Sequence, residues 1–117
     1  MTANADAIYL CDVDAIPERG AKGFEVDGDS VFALRFDNEL RVYRNSCPHL
    51  GVELNWLEDQ FFDLDGALIQ CASHGALFDP LSGICLSGPC HGQSLQPMRS
   101  EIDDGRLYLR IEPPSQS

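Results

Sequence analysis

Apolar and polar positions alternate along this chain in short runs, and most runs end on a pair of turn-forming residues. That rhythm predicts strands joined by hairpins. Ala7 to Cys11 is the first predicted strand, closed by the acids and proline of 12–17. Gly20 to Gly23 is expected to turn, and Phe24-Glu25-Val26 to run on as a half-buried strand. Val31 to Phe36 and Leu40 to Tyr43 are β-rich runs joined at Asp37-Asn38-Glu39, which is hairpin chemistry. Phe61 to Leu64 and Ala67 to Gln70 repeat the arrangement about Asp65-Gly66. Between these hairpins, Val52 to Gln60 reads as a solvated charge run, with a short helical turn as the alternative. Ile84-Cys85-Leu86 is a short strand between a turn at Pro80 to Gly83 and a tight loop at Ser87 to Gly92. A last hairpin joins Met98 to Ile102 and Arg106 to Ile111 about Asp103-Asp104-Gly105. In it Leu107, Leu109 and Ile111 share one face, and Arg106, Tyr108 and Arg110 the other. The fold class is all-β, built of small antiparallel sheets. Residues 1–117 form a single domain with flexible ends at about 1–5 and 112–117.

Two stretches break the pattern with chemistry. Cys47-Pro48-His49-Leu50-Gly51 and Cys71-Ala72-Ser73-His74-Gly75 each offer one cysteine and one histidine. Each follows directly on a predicted hairpin, so a rigid two-stranded base can hold each loop at a fixed distance from the other. Together they offer a soft, mixed sulfur and nitrogen donor set, which suits zinc, copper or an iron-sulfur cluster and not calcium or magnesium. Zinc fingers commonly take both cysteines from one knuckle, whereas here each loop carries a mixed pair. Such pairs serve a Rieske-type [2Fe-2S] cluster, in which two histidines replace two cysteines on one iron.

On Cys47-x-His49 and Cys71-x-x-His74 the chain resembles the Rieske ferredoxin family. The likeness continues through His74-Gly75-Ala76-Leu77-Phe78-Asp79, Gly83, the Gly88-Pro89 turn and Leu95. The resemblance implies a Rieske-like fold with a cluster-binding tip formed by two hairpin loops and covered by a proline loop. It implies one [2Fe-2S] cluster per chain on Cys47, His49, Cys71 and His74, with the two histidines as both ligands and the electron's exit. High-potential members carry additional cysteines at positions matching Val52 and Ser73, and hydroxyl side chains matching Ala76 and Phe78; this chain has neither. Fewer hydrogen bonds to cluster sulfur place the expected midpoint at the low end of the Rieske range of roughly −150 to +300 mV, below about 0 mV.

Charge narrows the partners. Nineteen acidic residues against eight basic give a net charge of −11, which repels nucleic acid and anionic membrane surfaces. An acidic carrier is drawn instead to a basic face on another protein, more weakly as salt rises. Arg41 and Arg44 are expected on the solvent face. The five cysteines are unevenly spaced and no apolar leader precedes Arg19, so a reducing cytoplasm is the expected compartment. Cys11 is expected to pack, no disulfide is expected between Cys85 and Cys90, and His91 is expected on a surface loop.

The expected function is one-electron transfer, from a reductase to an oxygenase or other terminal redox enzyme. The alternative is a small Rieske-like subunit of a larger oxidoreductase, similar to nitrite reductase small subunits, with a zinc-stabilised interaction module behind it. Catalysis by the chain itself is not expected. After the four ligands only His91 remains, too few donors for a non-haem iron site. No Gly-x-Gly-x-x-Gly stretch offers a nicotinamide or flavin site either.

Overall fold

A computed structural model describes residues 7–26, 28–46, 54, 60–63, 66–71, 75–88 and 92–110. Nine strands form three antiparallel sheets. In chain order they are β1 (Ala7–Asp12), β2 (Gly20–Val26), β3 (Asp29–Phe36), β4 (Glu39–Arg44), β5 (Ile69–Gln70), β6 (Leu77–Phe78), β7 (Cys85–Ser87), β8 (Ser100–Asp103) and β9 (Arg106–Arg110). The sheets run β1-β9-β8, β2-β3-β4 and β5-β6-β7, and the only helical element described is a 3-10 turn at Val13–Ala15. No helix among the described residues is long and apolar enough to cross a membrane.

The sheet β2-β3-β4 is the middle layer, as β3 makes plain. Its Val31, Phe32, Ala33 and Leu34 have no exposed surface at all, so this apolar run is buried on both faces. Period two then sorts the side chains. Val31 and Ala33 join Val42, Leu107, Leu109 and Cys11 in one core, against the sheet of β1, β8 and β9. Phe32 and Leu34 join Tyr43, Phe61, Ile69, Phe78 and Leu95 in the other, against β5-β6-β7. In that second core Phe32 and Phe61 stack at 4.2 Å between ring centroids. The free edge of β4 is taken up by residues 96–98, through Arg44 N–H to Gln96 O (2.9 Å) and Met98 N–H to Val42 O (2.8 Å). Pro97 faces Tyr43 between those bonds, where its missing N–H costs nothing.

The hairpins fall where the turn residues place them. Asp37 and Asn38 adopt φ of 56° and 64°, and Asp104 and Gly105 adopt 56° and 75°, as two-residue turns between twisted strands require. The Glu18 carboxylate accepts both N–H groups of the first turn, from Asp37 at 2.6 Å and Asn38 at 2.9 Å. Leu107 and Leu109 are buried while Arg106 is exposed, the alternation expected of the last hairpin. Cys11 is buried in β1, and burial pushes its thiol pKa up. Cys85 is buried, forms no disulfide, and donates to Ser87 O at 3.4 Å.

One expectation is corrected. Gly20 to Gly23 is not a turn but the first half of β2, paired in register with β3 from Gly20↔Arg35 onward. The reversal comes earlier, with Gly20 N–H on Pro17 O (2.9 Å) and Arg19 at φ 61°. Gly20 is required there because a Cβ would lie 2.7 Å from Pro17 Cγ, so the glycine marks close approach and not the turn itself. Arg41 and Arg44 keep about a third of their side chains exposed (38% and 34%) on the solvent face, where each is paired with an exposed carboxylate. Arg41 donates to Leu81 O at 3.1 Å and pairs with Glu39, and Arg44 pairs with Asp29 at 3.1 Å. The charge run expected over 52–60 and its helical alternative, apart from buried Leu54 and exposed Gln60, lie outside the described residues, as do the chain ends.

Candidate metal centre

The first ligand stretch leaves the end of β4 and returns at Leu54. Asn45 N–H donates to Ser30 O at 2.8 Å, its Nδ2 donates to Ser30 Oγ at 3.2 Å, and its Oδ1 accepts Leu54 N–H at 2.8 Å. Ser46 N–H turns back on Arg44 O at 2.9 Å. The two ends of this stretch are thereby fixed to one another and to the start of β3.

The second stretch leaves the end of β5. Its hairpin base has the expected register, with Asp63 N–H to Leu68 O (2.8 Å), Gln70 N–H to Phe61 O (2.9 Å) and a bridge between Phe62 and Ile69. The Asp63 carboxylate accepts Ala67 N–H (3.1 Å) and Leu68 N–H (3.3 Å), tightening the turn around Gly66. Cys71 N–H then donates to Ala76 O (2.9 Å), and Gly75 N–H to Cys71 O (2.8 Å), so Cys71 is tied to the residues at which the chain is next described. A third segment presses on this one: Gly88, at φ 107°, would place a Cβ 2.8 Å from Ala76 Cα.

These loop bases meet. Leu54, Cys71, Ala76, Phe78 and Cys85 belong to one buried core. Cys71 is fully buried at the foot of the second loop, where the sequence puts a sulfur ligand. Cys47, His49 and His74 lie outside the described residues, as do Pro89, Cys90 and His91. Among the described residues no three His, Cys, Asp or Glu side chains gather as metal donors. The residues nevertheless fit a mixed-ligand cluster. The two sequence stretches offer two thiols and two imidazoles as candidate donors. The one donor described is a buried thiol, and both stretches spring from bases closed by hydrogen bonds beside it.

Behind the site, buried Tyr43 donates its hydroxyl to Pro80 O at 2.8 Å, and burial pushes its pKa up to about 12. This bond joins β4 to the turn after β6, and Gly83 in that turn leaves room for the tyrosine ring. The sequence reading passes over both Tyr43 and Asn45. The available signal for Asn45 is its place: an amide side chain directly after a β-rich run and two residues before a candidate ligand.

An all-β scaffold that carries mixed cysteine and histidine loops on hairpin bases defines the class of small iron-sulfur domains. Residues 6–103 match the family model for the Rieske [2Fe-2S] domain, and the chain belongs to that family, which binds a [2Fe-2S] cluster. It is 29% identical over 113 residues to the ferredoxin component of naphthalene 1,2-dioxygenase/salicylate 5-hydroxylase systems from a Ralstonia species, covering 96% of this chain and all of that one. Among solved structures it resembles the ferredoxin of carbazole 1,9a-dioxygenase from Nocardioides aromaticivorans IC177. The TM-score is 0.72 at 21% identity, over 91% of this chain and 98% of the other. It is similar also to a complex of reduced oxygenase and oxidised ferredoxin in carbazole 1,9a-dioxygenase, with TM-score 0.75 at 20% identity over 95% and 98%. The Rieske-like fold of small antiparallel sheets expected from the sequence is the fold observed.

Proposed function

We propose that this chain is a one-electron carrier of the cytoplasm that takes electrons from a reductase and delivers them to a terminal oxygenase. Cys47, His49, Cys71 and His74 are its cluster ligands, and residues 1–117 form a single domain. The carrying observation is the pair of closed loop bases beside the buried Cys71 thiol, in a chain that belongs to the Rieske family. The likeness to a ferredoxin component along that relative's whole length supports the carrier role, with an oxygenase as acceptor.

When bound, a cluster with two imidazole ligands accepts one electron at a higher potential than an all-thiolate one, because it bears less negative charge. The residues supply the rest. The Cys71 thiol sits in an apolar core that excludes water, and its own N–H is occupied by Ala76 O. Ala76 and Phe78 offer carbon where a hydroxyl would hydrogen-bond sulfur, which holds the potential low. With a net charge of −11, the carrier is steered to basic partner surfaces.

The test is a stoichiometric one. The purified red-brown protein, titrated with reduced flavin reductase, takes up one electron per chain and yields it to a Rieske oxygenase. A colourless protein, or one that takes up no electron, rules the proposal out.

A further inference from the structure

We infer that Asn45 is a positioning residue for the first ligand segment, clamping shut the stretch that contains Cys47 and His49. This rests on the reading of those two residues as ligands. Asn45 is buried, at 6% exposure, the one amide or charged side chain so buried among the described residues. A buried amide persists where both of its ends find partners, and both do here. Its Oδ1 takes the N–H of Leu54, a residue with no exposed surface, and its Nδ2 reaches Ser30 Oγ. Its backbone N–H is fixed on Ser30 O. One residue therefore ties together the start of β3, the exit from β4 and the return of the ligand stretch to the core.

Among the described residues, the bonds that close the two segments differ. The second is shut by backbone bonds between Cys71, Gly75 and Ala76. The first has its two described ends, Asn45 and Leu54, joined through the Asn45 side chain. An alanine leaves the buried Leu54 N–H without this acceptor. A metal site tolerates displacement of its ligands by only about 0.5 Å, and partners that orient ligands typically change metal affinity by about 10–100-fold when removed.

The test uses the full chain loaded with its cluster. Asn45→Leu keeps the volume and removes both polar ends, Asn45→Asp keeps an acceptor for Leu54 N–H, and Ser30→Ala removes only the second tether. Three quantities are measured: cluster loss to an excess of iron chelator, the midpoint potential with the reduced paramagnetic spectrum, and exchange of the Leu54 amide. Asn45→Leu is expected to lose the cluster about 10–100-fold faster. Its Leu54 amide is expected to exchange at least about tenfold faster. The protein that keeps its cluster is expected to show a displaced midpoint and spectrum. Asn45→Asp and Ser30→Ala are expected to stay within a few-fold of the wild-type loss rate. Should Asn45→Leu fail to fold, Asn45→Ser, too short to reach Leu54, is read in its place.

The inference is overturned if Asn45→Leu loses its cluster at the wild-type rate, or if Asn45→Asp fails as badly. It is overturned equally if melting falls while midpoint and spectrum stay put, since that marks a residue serving only the fold. A colourless wild-type protein overturns the ligand assignment and this inference together. A coloured wild type with an unaffected Asn45→Leu overturns this inference alone.

Discussion

Replacing Tyr43 by phenylalanine isolates one bond that holds β4 to the strands beneath the second ligand loop. The ring remains, with its 5.8 Å contact to Phe32, while the 2.8 Å bond to Pro80 O is deleted. Tyr43 and Pro80 are both among the fully buried side chains, so no water replaces the lost donor and the carbonyl is stranded. An unsatisfied buried group costs about 1–3 kcal/mol. For a chain of this length a loss near the middle of that range lowers the melting midpoint by roughly 6–10 °C. The same residue carries a pH signature. Its pKa is about 12 in the fold, against about 10 for a free tyrosine. Because the folded value is raised, the stabilisation is complete below pH 10 and is lost as pH rises through 12, over which span it amounts to about 3 kcal/mol. Melting at pH 7, 10 and 11 therefore steepens for the wild type more than for Tyr43→Phe. Absorbance titration of the three tyrosinates shows a late step near pH 12 that the variant lacks. Tyr9 is also raised, by its hydrogen bond to Asp12, so the late step is assigned by its loss in the variant. Equal melting at neutral pH, or a native titration complete near pH 10 for all three, would refute the reasoning.

Other outcomes follow from the same geometry. Gly83→Ala forces a Cβ to within 2.8 Å of Tyr43 Cε1 at φ 78°, and is expected to cost about 3 kcal/mol by denaturant unfolding. Gly105→Ala, at φ 75° with nothing within 4 Å, should cost only about 1 kcal/mol, and equal costs would dismiss the steric argument. Phe61→Ala, removing the ring stacked on Phe32, is expected to lose about 3–5 kcal/mol while leaving the colour of the folded protein intact. A redox titration should place the midpoint below about 0 mV, and a value above about +100 mV would show that the missing sulfur donors do not control it.

The turn chemistry was legible in the sequence because it is local. Asp37-Asn38, Asp104-Gly105 and the bend at Gly66 each satisfy a backbone requirement that few residue types meet, and the strands on either side follow. The buried centre was visible as composition, in the unbroken run Val31-Phe32-Ala33-Leu34, but its consequence was not. That two cores lie on either side of β3 depends on which sheets come to cover it. Gly20 misled because a glycine signals either a turn or a close approach, and Pro17 decides between them only once the chain is folded. The bond from Arg41 to Leu81 O was not legible, because its acceptor lies 40 positions away. The signature of the family is the most local feature of all, two short cysteine and histidine motifs each following a hairpin. Asn45, by contrast, acquires meaning only when Ser30 and Leu54 are brought to it.

The most direct measurement of the central claim is the nitrogen hyperfine spectrum of the reduced protein labelled with ¹⁵N-histidine. Coordination by His49 and His74 predicts two strongly coupled nitrogens at a one-electron-reduced [2Fe-2S] centre, both arising from labelled imidazole. No coupled histidine nitrogen, or a pair that survives unchanged when His49 and His74 are each replaced by alanine, would contradict it.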